Sequence, residues 1–96
     1  MKMFMIIYCE AADEDVITAL KEIGIRAYTK MVEAQGEGTE TEPKLGTHCW
    51  PGKNNILLTA VPDEEVPRIK ERIRWIQEEH PRAGVRSFLI PMEETL

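Results

Sequence analysis

Two stretches fifty positions apart share one design: Ala12-Asp13-Glu14-Asp15-Val16 and Pro62-Asp63-Glu64-Glu65-Val66 each follow an apolar run and open an amphipathic one. The preceding runs, residues 3–9 (Met-Phe-Met-Ile-Ile-Tyr-Cys) and 55–61 (Asn-Ile-Leu-Leu-Thr-Ala-Val), are apolar at odd and even positions alike. A strand with that pattern has both faces buried. After Asp13, Val16, Leu20 and Ile23 fall at i, i+4 and i+7 before Gly24, which predicts a helix over 13–23 with Asp13 as its N-cap and a left-handed glycine stop. After Asp63, read as the cap of a second helix, Val66, Ile69, Ile73 and Ile76 recur at spacings of 3, 4 and 3, until His80-Pro81 ends the pattern. Pro67 falls in the first turn, where no internal partner is lost.

Residues 25–34 and 85–90 supply the other two strands, so the chain reads as two βαβ halves. The predicted fold is α+β, a ferredoxin-like βαββαβ antiparallel sheet with both helices on one face. Helices cover only that face, yet the strands are apolar on both. Either further copies of the chain pack sheet against sheet, or the last residues fold over the open side.

With 96 residues, there is material for one hydrophobic core and a single domain over 1–96. The formal charge of −5 argues against a nucleic-acid partner, which would need a clustered basic face. The run over 3–9 is too short to insert in a membrane and leads into acidic residues rather than a cleavage site, so a cytoplasmic protein is expected. Cys9 and Cys49 match no C-x-x-C spacing and signal neither a disulfide framework nor a zinc ribbon. No P-loop and no supported nucleophile–base arrangement is present, and the acids at 13–15 and 63–65 suit helix starts; the chain does not read as an enzyme. Periodicity vanishes between Gln35 and Asn55, where turn formers gather into a long loop.

Four stretches carry a family resemblance: Ala19-Leu20-Lys21-Glu22-Ile23-Gly24-Ile25-Arg26, Gln35-Gly36-Glu37-Gly38, Ala60-Val61-Pro62-Asp63-Glu64-Glu65-Val66, and Phe88-Leu89-Ile90-Pro91-Met92-Glu93-Glu94. In their order and spacing the chain resembles the PII-like signal transduction proteins, the nitrogen regulatory P-II group and its relatives. The resemblance implies a homotrimer with inward-facing sheets, small effectors in the clefts between subunits, and a T-loop, here about residues 35–55, that engages a membrane transporter or an enzyme. It implies no obligatory cofactor, but an adenine nucleotide or another anion as effector, held between Gly36 and Gly38 at the loop entry and Arg82, Gly84 and Arg86 around the turn before the last strand. A guanidinium suits phosphate through paired, charge-assisted hydrogen bonds. The plainer reading is that both arginines are solvated charges beside a turn.

The chain departs from the family pattern in three places. Ala83-Gly84-Val85-Arg86 stands where the family has Gly-Asp-Gly-Lys, and the β-branched Val85 leaves a less open nest of amides. No tyrosine follows Tyr28, so the family's loop-tyrosine switch has no acceptor there, and Thr39 and Glu40 stand where the 2-oxoglutarate-binding glutamine belongs. The effector is therefore expected to differ from 2-oxoglutarate.

Two other features carry chemistry. His48 and Cys49, with Cys9 and His80 as further ligands, make a soft donor set suited to zinc or copper(I), which is the basis of a rival reading as a CutA-like trimer in metal homeostasis. Trp50, with Lys53 nearby, suits docking of a partner protein or folding back onto the subunit. Trp75 lies off the helix stripe and reads as packing at an oligomer contact.

Overall fold

The computed structural model describes residues 1–36 and 53–96. The two apolar runs become the two central strands, β1 (Lys2–Cys9) and β3 (Asn54–Val61), paired antiparallel from Lys2 opposite Val61 to Cys9 opposite Asn54. The edge strands are β2 (Thr29–Ala34), beside β3, and β4 (Arg86–Pro91), beside β1, so the order is β2-β3-β1-β4 with every pairing antiparallel. The helices are α1 (Asp13–Glu22) and α2 (Val66–Glu79). This is the expected ferredoxin-like arrangement.

One face of the sheet carries the core. Phe4, Ile6 and Tyr8 alternate along β1 and are buried in one cluster with Val16 and Leu20 of α1 and Ile69, Ile73 and Ile76 of α2. Each side chain of this size contributes about 1.5–3 kcal/mol when fully buried. Arg72 and Arg68 on α2 donate to the Ala19 and Ile23 carbonyls at the end of α1, so the second helix satisfies acceptors that the first leaves open.

The opposite face is apolar, and no element among the described residues covers it. Antiparallel register lines up Leu58, Met5 and Phe88 in one row and Ala60, Met3 and Ile90 in the next. Phe88 is 52% exposed and Ile90 38%. Residues 93–96 are themselves exposed.

Both predicted helix caps are corrected. Residues 10–12 and 63–65 form single 3-10 turns that lead into α1 and α2, and neither helix has a side-chain cap; the residues at the cap positions are Ala12 and Glu65. A 3-10 turn already supplies carbonyls to the first amides, so the aspartates are released for tertiary bonds. Asp13 binds side chains from three strands, and Asp63 pairs with the Met1 ammonium at 3.0 Å. β2 also starts later than predicted, because Ile25 belongs to the helix stop. Gly24 has φ +93, its N–H bonds the Lys21 carbonyl at 2.9 Å, and the Ile25 N–H reaches back to Leu20 at 3.0 Å, with Ile25 and Leu20 both buried.

A Cβ at residue 24 would meet nothing within 4 Å. The cost of Gly24→Ala is therefore conformational, and urea unfolding should show a loss of about 1–2 kcal/mol from the left-handed backbone, with a smaller loss for Gly24→Asn.

Candidate functional site

The end of β1 is where the loop and the last turn converge. Cys9 pairs with Asn54, the Glu10 N–H donates to the Lys53 carbonyl at 3.0 Å, and Ala34 also lies opposite Asn54. Gly36 follows directly, with its Cβ direction 3.6 Å from Asn54 Nδ2. Entry to the loop and exit from it thus meet beside Cys9.

A cavity of about 320 Å³ opens at the same strand end. Cys9, Ala11, Ala12 and Asp15 form one wall, and the turn over residues 80–83 forms the other. His80 Nδ1 lies 3.6 Å from Asp15 Oδ2. The His80 and Trp75 rings meet edge to face, centroids 6.1 Å apart at 75°, and Arg72 stacks 4.2 Å over that indole while pairing with Glu22. Within the single chain, then, Trp75 packs against its own helix and the turn that follows.

The predicted site residues divide. Arg82 lines the cavity, and Gly84 makes the bend beyond it with φ 62 and ψ 37, a conformation that suits glycine. Arg86 does not line the cavity: it opens β4 opposite Ile7, on the uncovered face, so the turn separates the two arginines instead of joining them. Lys53 is exposed at the loop exit. Gly38, His48, Cys49 and Trp50 lie outside the described residues. Cys9 and His80 share the cavity wall, but Cys9 is disulfide-bonded, contrary to the expectation from spacing, and in that state its sulfur is not a thiolate ligand. Among the described residues no three His, Cys, Asp or Glu side chains gather as metal ligands would. No helix among them is long and apolar enough to cross a membrane.

A polar cluster around Asp13 escaped the sequence reading. Asp13 Oδ1 accepts from Tyr8 Oη at 2.7 Å and Asn55 Nδ2 at 3.0 Å, and Oδ2 accepts from Lys30 Nζ at 2.9 Å, which ties β1, β2 and β3 to the start of α1. Asn55 Oδ1 is buried without a hydrogen-bond partner among the described residues. Burial, reinforced by the bond to Asp13, holds the Tyr8 phenol well above its usual range, so it stays a donor. Burial alone would raise the Asp13 carboxyl, but the donors Tyr8, Lys30 and Asn55 and the Lys30 charge outweigh it and lower the carboxyl below its ordinary value. The signal was present: a tyrosine in the buried phase of a two-sided strand needs a partner for its hydroxyl.

The whole chain, residues 1–96, matches the model of the family described as nitrogen regulatory protein P-II. The chain belongs to the P-II family. Among solved structures, a PII-like signalling protein of Thermus thermophilus is 28% identical, with a TM-score of 0.62 over 92% of this chain and 82% of that one. CPII of Thiomonas intermedia K12, solved with ADP, AMP and acetate, is 21% identical with a TM-score of 0.69 over 93% of this chain and 82% of its own. A protein of unknown function from Pediococcus pentosaceus ATCC 25745 is 15% identical with a TM-score of 0.68 over 99% and 94%. No curated protein matches. The P-II fold is thus shared with these chains.

Because the folded Asp13 carboxyl sits below its unfolded value, its stabilisation is complete at neutral pH and is lost as pH falls through the ordinary carboxylate range and beyond. Urea midpoints of the parent chain and Asp13→Asn should differ at about pH 7, and the gap should narrow as pH falls below the ordinary carboxylate range and the folded Asp13 takes up a proton.

Proposed function

We propose that this P-II family member is a signalling regulator, not an enzyme. It binds an adenine nucleotide or a related anion in clefts between the subunits of a homotrimer and acts on a partner protein, a transporter or an enzyme, through the segment over residues 35–55. The observation that carries this reading is the convergence of loop entry, loop exit and the turn before β4 at the end of β1, beside a cavity that Arg82 lines. A ligand that contacts that cavity touches Cys9, whose strand partner Asn54 also lies opposite Ala34. The adenine nucleotides in the CPII structure support the choice of effector class.

The homotrimer is supported by the uncovered apolar face. Rows of Leu, Met, Phe and Ile facing water are costly, and sheet-to-sheet contact with further copies removes that surface from solvent. Arg86 borders this face, where a neighbouring subunit would bring it to the cleft.

Calorimetric titration with ATP, ADP and AMP is expected to give saturable heat with at least one of them, weakened by Arg82→Ala and by Arg86→Ala; no heat with any nucleotide would sink the effector assignment. Sedimentation equilibrium should return three times the chain mass, and Phe88→Asp, which puts a charge into the apolar face, should release monomer. A parent chain that sediments as monomer throughout would overturn the assembly.

A further inference from the structure

The cavity beside Cys9 has a mixed charge pattern that an anion site would not need. Its cationic wall residues are Arg82 and His80, the latter an imidazole that carries charge when protonated, and its only carboxylate among the described residues is Asp15. The other acids at the start of α1 are not walls: both oxygens of Asp13 are taken by Tyr8, Asn55 and Lys30, and Glu14 does not line the cavity. Asp15 stands 3.6 Å from His80, beyond a good hydrogen bond, with side chains 58% and 33% exposed. Such an exposed pair contributes little to folding. His80 is held independently, by its own N–H to the Ile76 carbonyl at 2.8 Å and by the Trp75 ring. The carboxylate therefore occupies the position on His80 that the oxygen of an entering anion would take.

We infer that Asp15 is a specificity residue of this cavity, an internal carboxylate that competes with ligand oxygens for His80 and disfavours highly charged anions. The inference rests on the anion-site reading above and adds the charge class that the site selects. Asp15 offsets the attraction of Arg82 and His80, and its own repulsion is larger for a pyrophosphate-like group than for a singly charged one, because the Coulomb term grows with ligand charge.

Calorimetry with inorganic pyrophosphate at low salt tests it on the parent chain, Asp15→Asn, His80→Gln and Asp63→Asn. Asp63 serves as control, since it is another acid near a helix start but pairs with Met1 instead of lining the cavity. Asp15→Asn should tighten pyrophosphate binding roughly fivefold, from the removal of one like charge a few ångströms away. His80→Gln should weaken it, and Asp63→Asn should leave it unchanged. A purely structural pair would make the Asp15 and His80 variants shift affinity in the same direction, and that result overturns the inference. So do an unchanged Asp15→Asn, an equal effect at Asp63, or no pyrophosphate binding in either the parent chain or Asp15→Asn. Parallel titration with ATP, ADP and AMP separates the two levels: heat with at least one of them beside any of these adverse results removes only the role of Asp15, while no heat with any removes the nucleotide reading as well.

Discussion

The fold depends on one constraint, that its central strand is apolar on both sides while only one side has helices. Phe4, Ile6 and Tyr8 anchor the helix side, and Met3, Met5 and Ile7 build the other with their partners across β3 and β4. The helix face can be completed by one chain. Among the described residues no element lies over the second face.

Repeat and periodicity were enough to read the architecture. The strand pairings, the helix stripes at Val16, Leu20, Ile69, Ile73 and Ile76 and the glycine stop at Gly24 follow from short-range chemistry that tertiary contacts reinforce. The helix starts were misread because an aspartate before an apolar stripe looks like a cap whichever way its carboxylate turns. A 3-10 turn before each helix removed the need for a cap, and partners remote in sequence, Tyr8, Lys30, Asn55 and Met1, claimed the side chains. No local pattern records such a competition.

The site was legible in its neighbourhood but not in its grouping. Arg82, Gly84 and Arg86 lie within one turn of chain, yet the positive φ at Gly84 directs Arg82 to the cavity and Arg86 to the open sheet face. Asp15 and His80 are 65 positions apart in sequence (80 − 15), and only the packing of the start of α1 against the end of α2 brings them together. Membership of the P-II family places these details on a shared frame without assigning them roles.

The two ends of the loop are joined to the sheet unequally. On the entry side the ladder between β2 and β3 is irregular between Met31 and Ala34, and Glu33 holds φ 60, a strained setting for a side chain of its kind, on an edge strand. On the exit side Asn54 and Lys53 are bonded to the last residues of the central strand. The exit is thus tied to the central strand by regular pairing, while the entry is tied to the sheet through an irregular ladder at its edge.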